Sequence, residues 1–328
     1  MIRTILSTIF VGVLAAAIVF PAGAQECSQC LKPLWKSASI FVVEIDAVDQ
    51  ILTPESGADN IRAHVTRILK DDPGKGTQLQ AFEAHLRRYD RPMGEPQLYQ
   101  WDAYQLRAGQ QFLIFADSKE GGFAAKLAWP RDIIPLTGED DPVGDVALIL
   151  DTLPLPLSVR AQAIAAAVTT SPKPHCQILA QYISSLLISG SDSETSELQS
   201  VLENAPASAF SDSAQGALIG LLRTDMALAL QNQHGNLASL FIRVAARYFL
   251  AEPERAGLRP VSSAQNSLLQ FVHSIATFEP ARTAVRALPP ELAKQVAQKA
   301  AALAGDARVQ PDFRAMAAEL RALVESKQ

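Results

Sequence analysis

Cys27-Ser28-Gln29-Cys30 is the sharpest chemical pattern in the chain. Two thiols at this spacing can form a redox pair, supply half of a zinc site, attach haem or close a structural disulfide. Haem attachment needs a histidine at the next position, where Leu31 stands. Zinc needs two further ligands at regular spacing. His175 and Cys176 are the candidates, without a second Cys-x-x-Cys. A thioredoxin-like exchange pair belongs after a strand, at the start of a helix whose dipole lowers the thiol pKa. Here the pair precedes every strand in the pattern. A structural disulfide is therefore expected, either Cys27 to Cys30 or one of them to Cys176. Cys27 and Cys30, close in sequence, are the pair expected to be oxidised, which leaves Cys176 as an unpaired thiol entering the apolar run Ile178-Leu179.

The remaining reactive residues are scattered. His64, His85, His175, His234 and His273 form no His-Glu-x-x-His zinc helix. No Gly-x-Ser-x-Gly elbow is present. Gly74-Lys75-Gly76 lacks the spacing of a phosphate loop. Glu139-Asp140-Asp141 with Asp145 lacks the alternate spacing of a calcium loop and reads as a solvated acidic linker. No catalytic residue, cofactor or metal site is expected. One surface motif stands out. Arg88, Tyr89, Tyr99, Trp101 and Tyr104 flank an excursion punctuated by Pro92, Gly94 and Pro96, with Arg87 and Arg91 beside it. Arginine and aromatic side chains on a loop are what a binding surface uses. The alternative is that these rings pack on the end of a barrel.

The N-terminus fixes the expected compartment. Arg3 precedes an apolar run from Ile5 to Phe20, and Ala22-Gly23-Ala24 supplies small residues for cleavage. This three-part pattern predicts a secretory signal peptide over residues 1–24. The run is short for a membrane anchor, which needs about 20 residues. Export to a periplasmic or extracellular space is expected, with no membrane span after cleavage. The formal charge of -5 and the lack of a long basic run argue against nucleic-acid binding.

At the level of elements, 328 residues suffice for two domains, and 48% hydrophobic residues suffice for a core. Ser39 to Val48 is β-branched and aromatic, and Phe41, Val43 and Ile45 alternate with Val42 and Glu44. Ile61, Ala63, Val65 and Ile68 are interleaved with Arg62, His64 and Thr66. Leu79 to Arg88 alternates again. Phe112 to Ala116 is a continuous apolar run, and Phe123 to Trp129 returns after Gly121-Gly122. Pro130 and Pro135 limit the segment after Trp129 to an edge or a loop. Beyond an acidic stretch at 137–142, Ala- and Leu-rich segments carry a helical period. They begin at Leu157, His175, Ser191, Ser211, Leu237, Ser262, Pro289 and Pro311. The expected class is α+β in two domains. A small OB-like β-barrel spans 25–136, and helix pairs span 143–328 as a HEAT-like solenoid or a compact bundle.

The strand region resembles netrin-like OB-fold domains, related to the tissue inhibitors of metalloproteinases. Ser37 to Glu44 is similar to the family's opening strand, which comes after a cysteine-rich start. Val65-Thr66-Arg67-Ile68-Leu69-Lys70 is similar to a later strand, with Gly74 displaced. Arg107 to Ala116 is similar to the family's Gly-x-x-Tyr-Leu-Val-Phe-Ala strand. The resemblance covers about residues 27–136 and implies an OB-fold. Two departures matter. Tyr99 to Leu106 contains none of the cysteines that family often places there. Cleavage after Ala24 leaves Gln25-Glu26 ahead of Cys27, whereas the inhibitors chelate metal through a first-residue cysteine. Inhibition is not implied.

These readings lead to an exported, non-enzymatic binding or scaffolding protein of the cell envelope, with protein as the expected partner. The rival classes are a thiol-disulfide exchange protein using Cys27 and Cys30, and a protease-inhibitor-like module.

Overall fold

The structure, a computed structural model, describes residues 33–52, 56–70, 81–90, 97–98, 106–116, 133–231, 236–251, 269 and 279–326. Leu34–Gln328 forms one compact unit, and Met1–Pro33 a separate one. The larger unit is mixed, with strands followed by helices.

The strands are β1 Ser39–Leu52, β2 Ser56–Lys70, β3 Ala81–Asp90, β4 Gln97–Leu98, β5 Gln111–Ala116 and β6 Ile133–Pro135. They pair antiparallel in the order β4-β3-β2-β1-β5-β6. Strands β1, β2 and β3 are sequential neighbours, while β5 returns to lie on the other side of β1. The order β5-β1-β2-β3 is that of a Greek key. Pro135 sits on the edge strand β6, where its missing N–H costs no ladder bond.

Strand β1 is the centre of this arrangement because its side chains are apolar on both faces. Phe41, Val43 and Ile45 join Ile61, Ala63, Phe112, Ile114 and Ile133 in one buried cluster. Ile40 and Val42 point the other way and, with Leu113 and Phe115, enter the core of the helices. Only residues Ser39–Glu44 of β1 pair with β5, so the rest of β1 runs on with β2 and β3 as a long wing. The register skips Leu69 and Thr66 on β2 and Asp46 on β1. Such bulges bend a strand and increase its twist. The tight turn into β5 uses Gly109, at φ 82°, a left-handed conformation that suits glycine. Its N–H donates to the Ile45 carbonyl at 2.8 Å.

The helices are α1 Pro142–Thr152, α2 Leu157–Thr170, α3 Gln177–Ser189, α4 Asp192–Asn204, α5 Asp212–Gln231, α6 Asn236–Ala251, α7 Glu279–Arg286, α8 Pro290–Gly305 and α9 Pro311–Glu325. Their starts reflect local chemistry. Asp141 Oδ1 accepts from the Gly144 N–H at 3.0 Å, and Pro142 fits the first turn of α1. Ser191 and Glu194 form a capping box at α4. Packing alternates along the chain: α1 against α3, α2 against α4, α3 against α5, and α4 against α6. The expected Ser262–Phe278 helix lies almost wholly outside the described residues.

A short 3-10 turn, Leu34–Lys36, leads into β1 and touches the helices. The Trp35 ring meets Tyr182 of α3 edge-on at 5.1 Å. Lys70 Nζ donates to the carbonyls of Ser37 at 2.7 Å and Trp35 at 3.3 Å, which fixes this turn against β2.

Candidate functional site

Two places could carry function. The first is the wing tip. Arg88 and Tyr89 lie near the end of β3, where the register skips Arg88 between the pairs Ala58 with Arg87 and Gly57 with Tyr89. Arg88 therefore stands in a β-bulge, a feature common at sheet rims and beside sites. Tyr89 and Asp90 pair with Leu98 and Gln97 of β4, so the two stems of the predicted loop are joined. Tyr99, Trp101 and Tyr104 lie outside the described residues. Ser56 pairs with Asp90, which puts this tip at the far end of the β1–β2 hairpin. From Val42, which packs on the helices, to Leu52 is about 30 Å along the strand. Along the wing, exposed His64 Nδ1 meets Asp46 Oδ1 at 2.7 Å, and Arg62 meets Asp49 at 3.8 Å.

The second place is a buried polar joint among the helices. Asp145, in the first turn of α1, is 3% exposed, and His175, in the loop between α2 and α3, is 4% exposed. Asp145 Oδ1 lies 2.6 Å from His175 Nδ1, and Oδ2 accepts the Cys176 N–H at 2.6 Å. His175 Nε2 lies 3.3 Å from the Ala167 carbonyl of α2. The His175 backbone also bridges to the α4–α5 loop. Its N–H donates to the Ala209 carbonyl at 2.8 Å, and its carbonyl accepts from Ser211 N–H at 2.9 Å. On the α5 side, Gln215 Nε2 donates to the carbonyls of Ala207 and Phe210.

A carboxylate, an imidazole and a thiol are the ingredients of nucleophilic catalysis, but here the geometry differs. Both His175 ring nitrogens face other partners, Asp145 and Ala167. Burial pushes the Cys176 thiol well above its ordinary range, and the Asp145 charge and hydrogen bond push further the same way. A protonated buried thiol is inert. Burial alone would lower the His175 pKa. The hydrogen bond and charge of Asp145 outweigh it, and the imidazole is held above its ordinary 6.5. Burial raises Asp140, against a hydrogen bond from Ser211.

On sequence alone Asp145 belongs to a solvated acidic stretch. The structure corrects this: it is buried and ties the start of α1 to the α2–α3 loop. His175 and Cys176, the candidate zinc ligands, instead hold Asp145. Among the described residues no group of three His, Cys, Asp or Glu side chains could hold a metal ion. Cys176 is a buried free thiol, and Cys27 and Cys30 lie outside the described residues. Among the described residues no helix is long and apolar enough to cross a membrane.

With this geometry in view, comparison with known proteins returns no relative: no family model, no curated protein and no solved structure matches the chain.

Proposed function

We propose that the chain is an exported, non-enzymatic binding protein of the cell envelope. In this reading the wing tip recognises a protein partner and the helices form the scaffold. The observation that carries it is the Arg88 bulge at the rim of the wing, beside the excursion that bears Arg91, Tyr99, Trp101 and Tyr104. Arginine, tyrosine and tryptophan dominate binding energy where they gather. The distance of this tip from the helical core leaves it free to engage a partner without disturbing the fold.

The OB-like reading of the strand region draws support from the Greek-key order and from the apolar cluster inside the bent sheet. The helical repeat reading draws support from the alternating packing of the first helices, in which each of α1 to α4 meets the next but one. Export rests on the N-terminal pattern, and a two-domain division rests on the composition change near residue 142.

The test compares wild type with a Tyr89→Ala, Trp101→Ala double variant as baits in a pull-down from the native envelope. Loss of a specific wild-type partner, with unchanged circular dichroism, supports the reading. An unchanged partner set refutes it. N-terminal sequencing of the exported protein should begin at Gln25.

A further inference from the structure

We propose that His175 is a buried imidazolium that latches the α2–α3 and α4–α5 loops to the start of α1, and that alkaline pH opens this latch. The number of available donors decides the protonation state. Asp145 Oδ1, at 2.6 Å from Nδ1, belongs to a carboxylate whose other oxygen already accepts from Cys176. The Ala167 carbonyl, at 3.3 Å from Nε2, can only accept. A neutral imidazole carries one N–H and serves one of these partners; the imidazolium carries two and serves both. Losing the proton takes the second donor from the half-buried Ala167 carbonyl, which keeps its bond from the Ser171 N–H at 2.9 Å. It also leaves the buried Asp145 carboxylate without its counter-charge, which is the costly part.

The neighbours favour the charge. Asp145 bonds the ring from the first turn of α1, Asp141 caps the start of that helix, and the charges of both raise the His175 pKa. Asp140, next in the chain, bonds Ser211 of the α4–α5 loop. From α3 comes the Cys176 thiol, held protonated. The α2 side presents the Ala167 carbonyl, and the α4–α5 side the Phe210 ring, 5.8 Å between centroids. Lys173 in the same loop and Asp212 at the start of α5 are exposed.

Linkage between protonation and folding sets the direction. The folded pKa of His175 lies above its ordinary 6.5, so the latch is at full strength below 6.5 and weakens as pH rises through the folded value. The mechanical consequence is local. Asp145 belongs to α1, which comes directly after the segment from β6, so opening the latch loosens the helices where they meet the strand region.

Cys176 reports on the latch because its own N–H is bonded to Asp145. The experiment alkylates the full chain and reads the Cys176 peptide by mass spectrometry, relative to the chain unfolded in denaturant at the same pH. Protection should be constant below pH 6.5 and fall above it, by up to about tenfold per pH unit, before levelling off. His64→Gln should keep this slope, and His175→Gln should flatten it. Constant wild-type protection up to about pH 9.5 would overturn the proposal. If His175→Gln does not fold, ring nitrogen shifts of the wild-type protein decide. A doubly protonated His175 ring at pH 6.5 supports the latch, and a singly protonated one overturns it.

Discussion

Around β1 the chain is joined by apolar side chains on both faces; around His175 it is joined by a carboxylate, an imidazole and peptide groups. The contrast arises from how each element meets its neighbours. Strands bring their own backbone bonds to the sheet, so burial needs only hydrophobic side chains. Loops between helices carry peptide groups without ladder partners, and burying them requires acceptors and donors from elsewhere. Asp145 and Gln215 supply these at adjacent loops. One region is therefore held by contacts that ignore pH, the other by contacts that depend on it.

Four substitutions separate the two, from the largest effect to the smallest. Phe41→Ala empties the centre of the apolar cluster and should cost about 4 kcal/mol in urea denaturation. Asp145→Ala strips the counter-charge from His175 and the acceptor from Cys176, and should cost roughly 3 kcal/mol near pH 6. Tyr182→Phe keeps the edge contact with Trp35 but removes the 3.3 Å bond between the Tyr182 and Thr152 hydroxyls. A loss of about 1 kcal/mol is expected, because Thr152 still donates to the Ile149 carbonyl. Arg62→Ala breaks the exposed pair with Asp49, and the unfolding midpoint should move by less than about 0.5 kcal/mol in equivalent stability.

The apolar region is the more legible in the sequence. The Phe41-Val43-Ile45 alternation and the Phe112 to Ala116 run locate β1 and β5, because side-chain period is visible in one segment at a time. Ser191 with Glu194, and the prolines at 290 and 311, mark helix starts by local chemistry alone. What the alternation cannot show is that Ile40 and Val42 are also covered, since the covering helices lie far along the chain. The polar joint is hidden for the same reason. Asp145 and His175 are thirty residues apart, with no fixed spacing, and an acidic run at a helix start looks the same whether solvated or buried. Of the predicted binding residues, Arg88 and Tyr89 sit where the β3 register breaks, while Tyr99, Trp101 and Tyr104 lie outside the described residues.

Urea unfolding of wild type, Phe41→Ala and Asp145→Ala at about pH 6 and about pH 9 tests the contrast most directly, because the raised His175 pKa makes its stabilisation vanish as pH rises. The cost of Phe41→Ala should be the same at both values. The cost of Asp145→Ala should shrink at the higher pH, as the wild type loses the charge pair that the variant never had. A constant cost for Asp145→Ala, or one that grows with pH, would contradict the division into a pH-blind sheet and a proton-dependent helical joint.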